Sequence, residues 1–348
     1  EIALKDTRHD SVRQAAFKAL VARQGEQDIR PLELALATEQ LDIGKDALKL
    51  LAERAANLPA ALQALTQALS HKQAALRLLT LSLLEGIYPN SPQASLLALA
   101  VPHADLQRAA LIRLYQRQWL QDIEVKRALL LAQADKDANL RHTAFLVAIL
   151  SQPLLTQSLQ ALEPDLARQL HELESFELVE GSAAKTVKSS KISAKDAQKL
   201  VSQLSFDDYR VLLQGMSNTY ADISFLAAFA LAVLKDQRAF GMLLVLSREA
   251  DASIRAGVCR AFAWLGQDDS IPTLELLLND EVAEVRDAAF TALLSLQSNV
   301  LLSIERGFAA KHQDIHARSL KSLLELYGAK ANKQRTQALP LLQAALND

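Results

Sequence analysis

The sequence has few of the residues that mark strands and tight turns. Only 5% of its 348 residues are aromatic, and glycine and proline number 10 and 9. Leucine and alanine supply most of the hydrophobic half of the composition, and both side chains lose little freedom in a helix. The composition therefore favours packed helices, and a chain of this length is expected to form two domains or an elongated repeat array.

Other scarcities exclude classes of site. Cys259 is the only cysteine, which excludes an intrachain disulfide and a cysteine-rich zinc site and fits a reducing compartment. The formal net charge is -2 with both signs interspersed, so a general binder of nucleic acid or acidic membranes is not indicated. The longest apolar run, Phe225 to Leu234, is too short to span a membrane and is interpreted as a buried helix. We expect a cytoplasmic protein without membrane insertion.

One helical pattern recurs along the chain: a polar residue, an apolar anchor, often arginine, then alanine and leucine at helical spacing. The best copy, DASIRAGVCRAFAWLG, starts at Asp251. The predicted anchors are Val12, Ile43, Ala74, Leu106, Leu140, Ile223, Ile254, Val285 and Ile315. They recur with a period of about 31 positions, apart from one wide gap between Leu140 and Ile223. This period accommodates two helices of about 11 to 13 residues and two short turns.

The first helix of each unit also has a recognisable sequence. DIRPLELALA from Asp28 and DSIPTLELLLND from Asp269 are copies of one another. Pro31 and Pro272 are predicted to lie in the first helical turn, where the missing N–H costs nothing. Each unit is therefore predicted to be a helical hairpin, and the chain an all-α repeat protein.

The wide gap between Leu140 and Ile223 exceeds two periods, which predicts one degenerate repeat and an insertion. The segment 181–193, GSAAKTVKSSKIS, is rich in serine and lysine and is predicted to be a mobile loop or linker. The lysines in and beside it are interpreted as solvated, with docking to an acidic partner as the alternative: Lys185, Lys188, Lys191, Lys195 and Lys199. The predicted organisation is N-terminal repeats at 1–180, the insertion at 181–193, and C-terminal repeats at 194–348. Because the sequence begins with Glu1, we expect a piece of a longer polypeptide.

The short helical hairpin, the apolar–arginine pair and the proline that opens the first helix resemble HEAT repeats. The similarity is greatest to the short bacterial type also found in phycobilisome lyase subunits, and it covers nearly all of the chain except about residues 165–205. The resemblance implies a right-handed α-solenoid of about nine to ten two-helix repeats. Families with this fold include scaffolds, transport adaptors, DNA glycosylases, bilin lyases and deoxyhypusine hydroxylase, so the resemblance indicates a fold and not one activity.

The sequence contains few motifs that could form a metal or catalytic site. Deoxyhypusine hydroxylases bind iron through several His-Glu pairs, whereas this chain has only His171 and Glu172, which cannot fill a coordination sphere. We interpret that pair as a solvated helix position. Most other histidines fall at starts of second helices in different repeats: His9, His71, His103, His142, His312 and His316. With no phosphate-binding loop or catalytic triad motif in the sequence, we predict no catalytic residues, no metal and no cofactor.

The candidate binding residues are four arginines that directly follow anchors: Arg13, Arg141, Arg255 and Arg286. The other copies have Gly44, Ala75, Gln107, Ser224 and His316 at this position. An arginine here could bridge to an aspartate at the start of a neighbouring second helix and form a ladder that aligns adjacent units. A row of such residues could instead bind carboxylates or phosphates. The ladder is favoured because the spacing of the arginines follows the repeat.

We therefore predict a non-enzymatic scaffold that presents a concave surface, lined by second helices, to a protein partner or to other parts of its own polypeptide. The first alternative is a nucleic-acid-binding or DNA-repair HEAT-like protein, which requires the arginines to converge on one face. DNA glycosylases also need aromatic residues to handle an exposed base, but Trp264 lies beside Phe262 in an apolar stretch, and core packing is favoured for it. The second alternative is a lyase-type enzyme.

Overall fold

A computed structural model describes residues 9–328 apart from 26, 39, 177–193 and 298, together with residue 340. Within these residues the regular structure consists of twenty α-helices and three short 3₁₀ turns, with no strand. The prediction of an all-α fold is confirmed. The segment 181–193, predicted to be an insertion, lies outside the described residues.

The chain divides into two compact units. Unit 1 consists of Glu1–Gln152 and Arg168–Lys191, and unit 2 of Pro153–Ala167 and Ile192–Asp348. The predicted domain boundaries at residues 180 and 194 stay a prediction.

Unit 1 begins with a single helix, α1 (Asp10–Gln24), which is followed by pairs of a first and a second helix. The pairs are α2 (Arg30–Leu36) with α3 (Leu41–Ala55), α4 (Pro59–Gln67) with α5 (Ala74–Ile87), α6 (Gln93–Leu99) with α7 (Ala104–Gln116), and α8 (Ile123–Gln133) with α9 (Ala138–Leu150). Within unit 1, each second helix from α3 to α7 packs against the next second helix along the chain.

Unit 2 begins with α10 (Pro153–Leu162), followed by the start of α11 (Pro164–Glu174), and later by α12 (Ala194–Val201). Its pairs are α13 (Phe206–Met216) with α14 (Ala221–Val233), α15 (Ala239–Leu246) with α16 (Ala252–Leu265), α17 (Ile271–Leu277) with α18 (Ala283–Leu296), and α19 (Val300–Phe308) with α20 (Gln313–Gly328). The second helices α14, α16, α18 and α20 pack in that order, and α10 packs against α12, α13 and α14.

Local sequence signals define the ends of these helices. Pro31 and Pro272 lie in the first turns of α2 and α17, as predicted. The carboxylate of Asp137 caps α9 by accepting from the Leu140 N–H at 2.9 Å, and Asp251 caps α16 by accepting from the Ser253 N–H at 2.8 Å.

The core is built from the anchors, with two corrections. Seven of the nine anchors are buried: Ile43, Leu106, Leu140, Ile223, Ile254, Val285 and Ile315. Val12 is 43% exposed, because α1 buries Phe17 and Arg13 against α2 and α3 instead. Ala74 is exposed as the first residue of α5, and the prediction of an anchor there was wrong because Leu76 is the buried residue. The residue after that anchor is therefore Arg77.

The apolar run Phe225 to Leu234 belongs to α14, in which Ala227 to Val233 are buried, as interpreted from the sequence. Among the described residues, no single helix is both long enough and apolar enough to cross a membrane. One pair of consecutive helices, Ala138–Leu150 and Pro153–Leu162, is long and apolar enough when the two are taken together, but the pair is bent.

Candidate functional site

The arginines that follow anchors share one hydrogen-bond pattern. In Arg77, Arg141, Arg255 and Arg286, Nη1 donates to the carbonyls six and five residues earlier, at 2.6 to 3.0 Å. These carbonyls lie in the turn between the first and second helices, so each guanidinium ties that turn to the second helix. Ser224 and His316 occupy the same position and also reach the carbonyl six residues earlier.

Three of these guanidinium groups, those of Arg77, Arg255 and Arg286, also reach the following repeat, as does that of Arg13. Their carboxylate partners are Asp42 for Arg13 at 3.2 Å, Asp105 for Arg77 at 2.6 Å, Asp280 for Arg255 at 2.7 and 2.9 Å, and Asp314 for Arg286 at 2.6 and 3.0 Å. Three of these aspartates lie in the first turn of the next second helix, and Asp280 lies in the turn before α18. These are the charge-assisted contacts that the ladder interpretation requires.

The observed partners favour the ladder over ligand binding at these positions. The side chains of Arg13 and Arg286 are 6% and 10% exposed, and each donates to the protein's own oxygens. A role in ligand binding for Arg13, Arg141, Arg255 and Arg286 stays a prediction. Arg77 was missed in the sequence because the third anchor was placed two residues too early.

The ladder predicts a pH-dependent stability. Burial alone would raise the pKa of Asp280, but the hydrogen bonds from Arg255 and from the Val282 N–H outweigh it and lower that pKa below its ordinary value. A carboxylate with a lowered folded-state pKa stabilises the fold above its unfolded pKa of about 4, and this contribution is lost as the pH falls through the folded pKa. We therefore expect Asp280→Asn to lower the free energy of unfolding at pH 7 and to approach wild type below about pH 4. Urea denaturation at several pH values measures this; a difference that grows on acidification would contradict it.

A groove lies between the neighbouring second helices α16 and α18 of unit 2, with a volume of about 660 Å³. One stripe of α16 lines it with Ser253, Ala256, Arg260, Ala263 and Trp264, and one stripe of α18 with Glu284, Asp287, Ala288, Thr291, Ala292 and Ser295. Both stripes repeat at three- and four-residue spacing, so each is a single helix face. The groove is therefore a continuous surface lined mostly by small side chains, with Arg260 between Ala256 and Ala263 on the α16 side.

Trp264 forms one end of the groove and corrects the sequence interpretation. Its side chain is half-buried and lines the groove, whereas the sequence favoured core packing. The indole N–H donates to Oε2 of Glu163 at 2.9 Å, and Glu163 is 8% exposed. This hydrogen bond satisfies the indole's polar atom, so the remaining ring surface offers apolar contact.

The charges around the groove are partly neutralised by ion pairs. Asp287 pairs with Arg318 at 2.8 Å, and Arg260 lies 3.8 Å from Asp165. Glu284 is exposed in the first turn of α18 and has no cationic partner among the described residues. The groove therefore has an uncompensated negative charge at the end opposite Trp264.

In unit 1, a segment of the chain itself lies against a second helix. The amide of Gln116 on α7 donates to the backbone carbonyl of Phe176 at 2.9 Å, and the Tyr115 hydroxyl donates to Glu174 at 3.2 Å. Burial, together with the Glu174 carboxylate, raises the pKa of Tyr115 to about 12, so its hydroxyl stays a donor at neutral pH. Phe176 packs against the unit 1 core. Gln116 of a second helix thus holds the chain just after α11 through the backbone carbonyl of Phe176.

Metal-ligating residues are not assembled in the described residues. His171 and Glu172 are exposed on α11, which confirms their interpretation as a solvated helix position. In the part of the chain that the structure describes, no cluster of three or more histidine, cysteine, aspartate or glutamate side chains could hold a metal ion.

Comparisons with known proteins find a family match for part of the chain. A family model for HEAT repeats matches residues 209–294. Comparison with curated proteins finds no match. Among solved structures, an engineered protein from the Northeast Structural Genomics Consortium is 14% identical, with 100% of this chain and 98% of that chain covered and a TM-score of 0.34. A structure concerning tubulin recruitment and assembly by microtubule polymerases with Tumor Overexpressed Gene domain arrays is 13% identical, with 97% and 98% covered and a TM-score of 0.31.

The family match extends from within α13 to within α18 and includes Arg255, Arg286 and nearly the whole α16–α18 groove. The helix pairs, the proline in the first turn of α17 (Pro272) and the buried anchors of this region agree with that match. Residues 209–294 of this chain match the HEAT-repeat family, as the sequence pattern predicted.

Proposed function

We propose that this chain is a non-enzymatic, cytoplasmic protein-interaction scaffold that binds a partner protein on its second helices, with the α16–α18 groove as a contact site. The observation that carries the proposal is the groove itself. Its small side chains let a partner approach closely, and Trp264 supplies the kind of rigid aromatic surface that dominates binding energy in protein interfaces.

Two further observations support this proposal. The contact of Gln116 with the Phe176 carbonyl is a case within the chain of a second helix holding non-helical backbone. Glu284 lines the groove with no cationic partner among the described residues, whereas the charges of Arg260 and Asp287 are each partly neutralised by an ion pair. An acidic residue without a cationic partner repels the phosphates that nucleic-acid binding depends on. The charges therefore favour a protein ligand over the nucleic-acid alternative.

Filling the groove tests the proposal. Ala288 is partly buried on the groove face of α18, and Ala288→Phe would place a ring where a partner side chain should lie. Because loss of a central contact typically costs about 2 kcal/mol or more, we expect the amounts of specific partners recovered from a host lysate to fall at least about tenfold. Quantitative mass spectrometry after affinity purification measures this.

The matched control is Ala283→Phe, which adds the same ring to an exposed alanine at the start of α18, away from the groove. This variant should recover the same partners as wild type, and circular dichroism should show both variants to be folded. Equal recovery of every partner by wild type and Ala288→Phe would overturn the proposal. Tight binding of DNA or RNA that weakens steeply with salt would also overturn it, in favour of the nucleic-acid alternative.

A further inference from the structure

We propose that the α16–α18 groove binds an extended segment of a partner protein, with a lysine or arginine beside Glu284 and a large apolar side chain against Trp264. This inference rests on the proposed function and specifies the class of partner segment. It follows from the length of the groove, its small side chains and the different chemistry of its two ends.

The length and volume of the groove fit extended chain. From Ser253 to Trp264, α16 advances about 16 Å at 1.5 Å per residue, which equals about five residues of extended chain at 3.3 Å each. The groove, with a volume of about 660 Å³, therefore accommodates about five residues of extended chain that lie along it.

The middle of the groove admits a peptide backbone. Ala256, Ala263, Ala288 and Ala292 are its small side chains, and Ser253, Thr291 and Ser295 add hydroxyl groups. The hydroxyls of Ser253 and Ser295 donate to Asp251 and to the Ala292 carbonyl, so their oxygens can still accept hydrogen bonds from the N–H groups of an incoming backbone. Extended chain exposes such N–H groups along its edges, whereas a helix satisfies its own.

The two ends select different side chains. Glu284 has no cationic partner among the described residues, so a partner lysine or arginine would form an ion pair there without displacing another pair. At the other end, Trp264 is held by its hydrogen bond to Glu163 and gives a fixed apolar wall. A basic residue and a large apolar residue about four positions apart satisfy both ends.

Tryptophan fluorescence gives a direct test with defined peptides. The chain has only two tryptophans, and the indole N–H of Trp119 makes no hydrogen bond to any described residue, so Trp119→Phe leaves Trp264 as the single reporter at little cost. The probes are end-capped peptides with lysine and leucine separated by three alanines, in both chain directions. We expect one direction to change Trp264 emission saturably, and replacement of its lysine by glutamate to weaken binding at least tenfold.

Charge reversal on the protein gives the complementary test. Glu284→Lys should weaken binding of the lysine peptide at least tenfold and strengthen binding of the glutamate peptide. Glu325→Lys makes the same charge change at an exposed position of α20 and should leave both affinities unchanged. A reversal of preference at Glu284 alone supports the inference; an equal effect of both variants would show only a general response to net charge and would overturn it.

Failure of this inference can be distinguished from failure of the proposed function. If neither peptide direction binds, or a stable helical peptide of the same composition binds more tightly, the extended basic segment is the wrong class. The scaffold proposal survives that result if Ala288→Phe still loses partners that Ala283→Phe retains. If Ala288→Phe loses no partner, that result contradicts both the scaffold proposal and this inference.

Discussion

Arg255→Ala is expected to destabilise unit 2 by on the order of 2 kcal/mol, within the range for hydrogen bonds to charged groups. Arg255 makes two hydrogen bonds to Asp280 and two to the carbonyls of Glu249 and Ala250. Removing the guanidinium leaves the Asp280 carboxylate, only 9% exposed, without its cation. It also leaves the turn before α16 without its connection to that helix.

The loss should be local, because each repeat packs mainly against its neighbours. Hydrogen exchange should increase within about residues 254–317 and stay unchanged in unit 1. Arg255→Lys should recover only part of the stability, since an ammonium group cannot make the two parallel hydrogen bonds to Asp280. The control is Arg248→Ala, an exposed arginine of the same unit, which should change stability by less than about 0.5 kcal/mol. Unaltered protection in Arg255→Ala would remove the basis for the ladder.

The repeat and the ladder could be predicted from sequence because both depend on one position within each unit. Arg255 and Arg286 follow buried anchors one repeat period apart, and each bonds to its own turn and to the next repeat. A side chain that acts at a fixed offset leaves a periodic signal. The error at Ala74 arose because alanine occurs both on buried helix faces and at exposed helix starts, so small residues alone do not define the buried face.

The groove could not be predicted because it depends on two helices at once. Trp264 and Ala263 lie next to Phe262 in sequence, and the apolar stretch gives no sign of which face meets a neighbouring helix. Only the packing of α16 against α18 sets the small residues of both helices opposite each other.

Gly257→Ala is expected to destabilise unit 2 by about 1 to 3 kcal/mol, the usual cost of overpacking a core. Gly257 faces the ring of Phe225 across the α14–α16 contact. An added Cβ atom would overlap Cζ of that ring and lie 2.8 Å from Cε2 and 3.0 Å from Cε1. Alanine has the higher helix propensity, so a loss of stability would have to come from this contact.

Gly241→Ala is the matched control, because Gly241 is an exposed helix position with nothing within 4 Å of its added Cβ atom. That variant should gain about 0.5 to 1 kcal/mol from helix propensity alone. Urea denaturation of both variants measures the difference, and Phe225→Leu in the Gly257→Ala background should restore part of the loss by making room for the methyl group. If Gly257→Ala were as stable as Gly241→Ala, the close approach of α14 and α16 would not constrain that position. A loss that Phe225→Leu partly reverses would instead show that Gly257 sets how closely α14 and α16 pack. It would therefore also set the position of α16, which forms one wall of the α16–α18 groove.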